Sequence, residues 1–240
     1  MGNCLRSLRW QVLPAGVEVE LLISDFGSAP TWARELEVLA RTQGARVVRT
    51  PTAETWNRSR ALNVGIRAAR GAALMCTDAD MIFAPDFLAS VLAALGGGRG
   101  DTGERAPPGS FVVCRCRDLP ESLAERAWTR DDFPGLARRA PYRDKLGTGA
   151  CQAADRAFFE AVRGYDEGFV FWGMEDNDMR YRAGRAGLRE VWIHERTAML
   201  HQWHPSQRGR RPLRKLLNDL RFHTTKRRVV KNPRTWGGRP

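Results

Sequence analysis

The hydrophobic pattern of the chain alternates between the period of strands and the period of helices. Short apolar runs predict strands at 17–24, 46–49, 72–76, 110–116, 190–193 and 197–200. Apolar residues at helical spacing predict helices at 3–11, 32–42, 56–70, 86–95 and 156–163. Strands that alternate with helices in this way predict an α/β fold with a mostly parallel central sheet and helices on both faces.

One of these strands ends in two carboxylates. The apolar run 72–76 leads into Thr77-Asp78-Ala79-Asp80. Residues two apart in an extended segment point to the same side, so Asp78 and Asp80 can face one cation, although an Asp-x-Asp turn is also common in solvated loops. Asp25 follows the strand 17–24, and the carboxyl ends of strands in such sheets bind ligands. We therefore expect Asp25 and Asp78 at one edge of the sheet.

A second acidic cluster opens a predicted helix near residue 175. Phe171-Trp172-Gly173-Met174 precedes Glu175-Asp176-Asn177-Asp178. Acids at a helix N-terminus are favoured by the helix dipole, so capping is one interpretation. Capping does not explain the aromatic pair and the glycine, which suit the face and hydroxyl groups of a sugar.

Charge is distributed unevenly along the 240 residues, which are enough for one large domain. The net charge is +12, but residues 205–240 alone hold twelve Lys or Arg and one Asp, a net charge of +11. The rest of the chain is close to neutral. We expect a basic C-terminal helix and tail at 205–240 that contacts an anionic membrane or another polyanion, or is simply a solvated extension.

The sequence contains no segment typical of export or membrane insertion. No run approaches the ~18 apolar residues of a membrane span, and no signal-peptide core follows Met1. The five cysteines are odd in number and form no C-x-x-C pair, which argues against a disulfide framework or a zinc ribbon. We expect a cytoplasmic protein without a transmembrane segment, either free or peripheral at the inner membrane face.

Six short segments, in this order, resemble GT-A fold glycosyltransferases of family 2 with a galactosyltransferase-type C-terminal region. They are Asp25–Ser28, Arg60–Gly65, Thr77–Asp80, Gly164–Glu167, Trp172–Asp176 and His201–His204. The resemblance implies a GT-A domain at 1–204, with a donor half at about 1–116 and an acceptor half at about 117–204. The activity it implies is transfer of a sugar from a nucleoside diphosphate sugar to an acceptor hydroxyl, with a UDP-sugar as the preferred donor.

The resemblance also implies which residues bind the donor nucleotide. Asp25 would contact the base, and Arg60 and Asn63 would contribute to donor binding.

A divalent cation would hold the diphosphate between Asp78 and Asp80. A histidine at the end of the late strand would complete the metal site, with His201 placed better than His204. Two carboxylates and an imidazole suit Mn²⁺ somewhat better than Mg²⁺.

The second acidic cluster would serve the acceptor. By the resemblance, Asp176 is the general base, Glu175 positions the acceptor, and Trp172 and Gly173 line its site. In-line attack assisted by such a base implies inversion at the anomeric carbon.

The chain also departs from the family pattern. Family members begin with an apolar strand before the helix that starts here at Asn3, so we expect that first strand to be missing. Phe26 replaces the second Asp of the donor turn. Two alternatives stay open: a nucleotidyltransferase on a related fold that shares Asp78 and Asp80, and a non-enzymatic polyanion-binding protein with an inactive truncated GT-A domain.

Overall fold

The computed structural model describes residues 1–96, 109–123, 126–144, 147–171, 173–205 and 212–238. Trp172 and most of the predicted loop 96–109 lie outside this range. The helices are α1 Gly2–Arg9, α2 Pro30–Thr42, α3 Arg58–Ala68, α4 Phe87–Ala94, α5 Phe133–Arg139, α6 Arg156–Ala161, α7 Glu175–Arg185 and α8 Pro212–Thr225. The strands are β1 Leu22–Phe26, β2 Arg46–Thr50, β3 Ala73–Cys76, β4 Met81–Phe83, β5 Ser110–Val113, β6 Cys116–Asp118, β7 Gln152–Asp155, β8 Arg189–Trp192 and β9 Met199–His201.

The predicted α/β class is confirmed, and the chain divides into two units built from discontinuous segments. Unit 1 contains Met1–Glu18, Met75–Ala154 and Leu188–Ser206. Unit 2 contains Val19–Leu74, Asp155–Gly187 and Gln207–Pro240. These units describe packing, so the donor and acceptor halves expected at 1–116 and 117–204 stay a prediction.

Strands of both directions pair in unit 1. The sheet β4-β9-β6 has β9 at its centre, antiparallel to β4 and parallel to β6. In the sheet β3-β7-β5-β8, β5 is antiparallel to β7 and parallel to β8. The apolar run predicted as one strand at 110–116 is divided between β5 and β6, so one segment contributes to both sheets. Their shared core includes Phe83, Phe87, Val112 and Met199, all buried.

Unit 2 is built on the parallel pair β1 and β2, in which Leu22 lies opposite Arg46. Helix α3 packs closely on β1 because Gly65 has no side chain. A Cβ at Gly65 would lie 3.3 Å from a methyl carbon of Leu22. Strand β1 begins five residues later than predicted and ends at Phe26, two residues beyond the predicted end, so Asp25 lies within the strand and not after it.

The end of the basic segment is packed into unit 2. Lys231 is buried and contacts Asp178. Asn232 is buried and donates to the carbonyls of Arg163 (2.7 Å) and Tyr165 (2.5 Å), while its oxygen accepts from the amide of Glu167 (3.0 Å). This part of 205–240 is therefore a structural element.

Two findings bear on the expectations about cysteines and membranes. All five cysteines lie among the described residues; they are buried, and none forms a disulfide. In the described part of the chain, no helix has the length and apolar character needed to cross a bilayer.

Asn232→Ala tests the anchoring of the C-terminal segment. The substitution leaves the carbonyl of Arg163 and the amide of Glu167 without this buried partner, and each such group costs about 1–3 kcal/mol. The carbonyl of Tyr165 keeps its hydrogen bond from Asn63. We expect the free energy of unfolding, measured by chemical denaturation, to fall by about 2–4 kcal/mol. Val230→Ala, at an exposed neighbour, should change it little. An equal effect of both substitutions would contradict this role for Asn232.

Candidate active site

Strand β9 brings a histidine between two acidic strand ends in unit 1. His201, the last residue of β9, lies opposite Met81 of β4 and opposite Asp118 of β6. Asp80 directly precedes β4, and its carbonyl accepts hydrogen bonds from both the backbone and the side-chain nitrogen of Gln202, each 2.9 Å long. This register sets Asp80 and Asp118 on either side of the imidazole.

Asp80, His201 and His204 form a compact cluster of potential metal ligands. Asp80 Oδ2 lies 3.5 Å from His201 Nε2 and 3.2 Å from His204 Nε2. One ligand atom from each of the three lies within 4.8 Å of the others, and no other group of this kind occurs among the described residues. Asp78 lies in the same turn but is not a member of this cluster.

The electrostatic environment keeps Asp80 ionised. Burial raises the pKa of its carboxyl, but the hydrogen bond and charge of His201, together with the charge of His204, lower that pKa below its usual value. The second oxygen, Oδ1, is buried and makes no hydrogen bond. A buried carboxylate oxygen without a partner is costly, and a bound cation would satisfy it.

The donor set fits a transition-metal ion. It comprises one carboxylate and two imidazoles, whereas the family resemblance implied two carboxylates and one imidazole. Imidazole ligands suit transition metals, and the mixed oxygen and nitrogen set is compatible with Mn²⁺.

A carboxylate behind His201 fixes the orientation of its ring. His201 Nδ1 lies 3.1 Å from Asp118 Oδ1, so Asp118 can accept a hydrogen bond from Nδ1 and orient the ring with Nε2 toward Asp80. Asp118 is held in turn by two nitrogens of Arg143, at 2.6–3.2 Å. The same contact raises the pKa of Arg143 above its ordinary value. Such carboxylate–histidine pairs set the tautomer and basicity of metal ligands.

Helix α1 supports the turn that carries Asp78 and Asp80. Cys4 Sγ lies 3.8 Å from the carbonyl oxygen of Asp78, and burial raises the pKa of this thiol to about 12, so it remains a protonated donor. Asn3 donates to the side-chain oxygen of Gln202 at 2.6 Å. The first helix therefore restrains both chain segments that form the cluster.

The Asp25 turn lies in unit 2. Asp25 is buried opposite Arg49 in the β1–β2 pair, and its Oδ1 accepts from the amide of Ser28 at 3.3 Å. Its Oδ2 lies 3.4 Å from Arg49 Nε and makes no hydrogen bond. Gly27 has φ +75°, and a Cβ there would lie 2.7 Å from the carbonyl oxygen of Thr52, so the turn requires glycine.

The two other residues assigned to the donor have partners within unit 2. Arg60 pairs with Glu54 at 2.5 Å. Asn63 is fully buried, donates to the carbonyl of Tyr165 (2.8 Å) and to Glu167 (2.9 Å), and accepts from the amide of Tyr165 (2.7 Å). A direct donor contact of Asn63 would require these bonds to open.

The acidic opening of α7 follows a strained loop. Phe171, Gly173 and Met174 have φ of 75°, 107° and 75°, and for the two residues other than glycine this backbone conformation costs of order 1–3 kcal/mol. Glu175 is buried, accepts from the amide of Gly173 at 3.0 Å and lies 3.7 Å from Arg58. Asp176 is half-buried, and its Oδ1 accepts from the amide of Asn177 at 2.8 Å. Strain of this kind is concentrated at functional sites.

Sequence reasoning missed Asp118 and Arg143. The available signal was an acid just after the predicted strand 110–116, the same arrangement as in the Asp78 turn. Its partner on β9 lies 83 residues further along the chain, and periodicity does not reveal such a pairing.

Comparison with solved structures identifies the fold. The fold is that of the GT-A glycosyltransferases. The family-level identification follows from sequence: the model of glycosyl transferase family 2 matches residues 1–162, and that of the N-terminal domain of galactosyltransferase matches residues 135–204. The chain therefore belongs to glycosyltransferase family 2, and the expected resemblance is confirmed. No curated protein sequence matches it.

Three solved structures illustrate the likeness. S. aureus TarS is 15% identical, with a TM-score of 0.57, covering 85% of this chain and 34% of that one. The mannosyltransferase PcManGT from Pyrobaculum calidifontis, in complex with GDP-Man and Mn²⁺, is 19% identical, with a TM-score of 0.59. The match covers 97% of this chain and 61% of that one. GalNAc-T7 with UDP, GalNAc and Mn²⁺ is 18% identical, with a TM-score of 0.59. The match covers 86% of this chain and 41% of that one. The present chain thus spans less than two thirds of the length of each of these proteins. At such low sequence identity the similarity shows the fold alone.

Substitution of Asp118 tests its role as a positioning residue. Asp118→Ala removes the acceptor for His201 Nδ1 and should weaken Mn²⁺ binding, measured by calorimetry, by about 10–100-fold. Asp118→Asn keeps an acceptor oxygen for His201 and should lose less of the Mn²⁺ affinity than Asp118→Ala. Asp131→Asn, at an exposed acid of unit 1, serves as the control. Wild-type affinity in Asp118→Ala would contradict the assignment.

Proposed function

We propose that the protein transfers a sugar from a nucleoside diphosphate sugar to an acceptor hydroxyl, in a metal-dependent reaction that inverts the anomeric carbon. The observation that carries this proposal is the cluster of Asp80, His201 and His204, in which one carboxylate oxygen is buried without a partner. Family membership favours sugar transfer over the nucleotidyltransferase alternative.

The cluster residues would hold Mn²⁺, or Mg²⁺ as the second choice. When bound, such a cation supplies positive charge that stabilises the leaving diphosphate. Asp78, in the same turn, is proposed to help hold the diphosphate through the cation. Asp118 keeps His201 oriented with its Nε2 toward Asp80.

Asp25 is proposed to recognise the nucleotide base, and Arg60 and Asn63 to support donor binding. The buried Oδ2 of Asp25 makes no hydrogen bond, and a base N–H group would satisfy it. Asn63 would act through the loop at Tyr165 and Glu167, which it holds by hydrogen bonds.

A UDP-sugar is the first donor to test, and a GDP-sugar the second. The structural neighbours include one complex with UDP and one with GDP-Man, both with Mn²⁺.

Asp176 is proposed to be the general base for the acceptor. It takes the proton of the acceptor hydroxyl while the acceptor oxygen bonds to the anomeric carbon. The bond from that carbon to the diphosphate oxygen breaks, and the diphosphate leaves with the electron pair. Glu175, fixed by the amide of Gly173, is proposed to position the acceptor together with Gly173 and Trp172.

Metal-dependent donor binding tests the proposed function directly. Titration of UDP, UDP-sugars and GDP-sugars by calorimetry should show binding with Mn²⁺ that falls at least about tenfold when EDTA removes the metal. Asp80→Ala should give the same loss in the presence of Mn²⁺, while Asp131→Asn should bind normally. Nucleotide binding that depends neither on the metal nor on the Asp80 side chain would refute the proposed site.

Asp176→Asn separates chemistry from donor binding. Loss of the base should lower the transfer rate by about 10²–10⁴-fold, because the amide cannot accept the acceptor proton. Release of the nucleoside diphosphate in the presence of a panel of glycoside acceptors measures that rate. Donor affinity should stay at the wild-type value. Substantial residual transfer would exclude Asp176 as the base.

A further inference from the structure

Helix α8 exposes a row of leucines. Leu213, Leu216, Leu217 and Leu220 are 66%, 63%, 46% and 59% exposed. Their spacing of three, four and seven residues places them on one face of the helix, within about 100° of its circumference. Single exposed leucines are ordinary, but four on one face indicate an interaction surface.

The opposite face of α8 is fixed to unit 2 by polar contacts. Asn218 is buried and bonds both the amide (3.4 Å) and the carbonyl (3.1 Å) of Val170. Arg221 binds both carboxylate oxygens of the buried Asp166, at 2.9 and 2.6 Å. The side of α8 away from the leucines is therefore held by these polar contacts and by the ring contact of Phe222 with Tyr181, whereas the leucine row is turned to solvent.

Cations surround the leucine row. Arg214 lies beside the row on the helix surface, and Arg227 and Arg228 follow the end of the helix, all exposed. The single acid of α8, Asp219, pairs with Lys215 at 2.6 Å. These exposed cations give the surface a positive charge, which attracts anionic partners and repels a second copy of the same surface.

We propose that α8 docks on an anionic membrane surface. The leucine row enters the boundary between headgroups and acyl chains, and Arg214, Arg227 and Arg228 contact lipid phosphates. An amphipathic helix with a basic border has the chemistry that such interfaces bind. The proposal is independent of the metal cluster and of sugar transfer, so either can fail without the other.

Vesicle flotation without nucleotide or metal tests the docking. The full chain should float with vesicles of phosphatidylcholine and phosphatidylglycerol, and poorly with phosphatidylcholine alone. Leu216→Gln/Leu220→Gln should lower the vesicle partition coefficient at least about tenfold, because both side chains lose their apolar burial. Arg227→Gln/Arg228→Gln should weaken binding mainly at low salt.

A control variant separates docking through α8 from general adsorption of exposed apolar side chains. Val12→Gln/Val38→Gln removes two apolar side chains of similar exposure, each 53% exposed, elsewhere on the chain and should float like the wild type. All variants should keep the wild-type unfolding midpoint, since the substituted positions are exposed. The proposal is overturned if the wild type does not float with anionic vesicles, or if the leucine variant floats as well as the wild type. A dimer in sedimentation that the leucine variant abolishes, without vesicle binding, would assign the surface to a second copy instead.

Discussion

The register of β9 between β4 and β6 is the constraint on which the candidate metal chemistry depends. Because His201 lies opposite both Met81 and Asp118, one imidazole meets a carboxylate on each side. A slip of one residue would turn the His201 side chain to the other face of the sheet and separate it from both acids. The hydrogen bonds from Gln202 to the Asp80 carbonyl oppose such a slip, and Asn3 of α1 holds Gln202.

Much of this arrangement could be predicted from sequence, because it follows strand ends. Asp80 was identified from the apolar run before it, and the fold class from the alternation of strands and helices. Asp118 could not be assigned to the site, because its partner His201 lies 83 residues further along the chain and periodicity does not show which strands pair. The burial of Asn63 could not be foreseen either, since its partners Tyr165 and Glu167 lie about a hundred residues away.

Net charge alone misrepresents the C-terminal segment. A charge of +11 over 205–240 suggests a uniform solvated tail. In the structure, Lys231 is buried against Asp166 and Asp178, so part of this charge stabilises the interior of unit 2. Buried charges require such pairing, since an isolated one would be costly. The leucine row of α8 is the part that faces outward, and it is apolar with basic flanks. Composition cannot distinguish these two roles, because only the fold shows which cations have partners.

The most direct measurement is anomalous diffraction at the manganese edge from crystals grown with Mn²⁺ and UDP. The expected result is a single strong anomalous peak in contact with Asp80, His201 and His204, with the diphosphate beside it. A manganese peak remote from these three side chains, or ordered UDP with no metal at the cluster, would contradict the assignment of this cluster as the catalytic metal site.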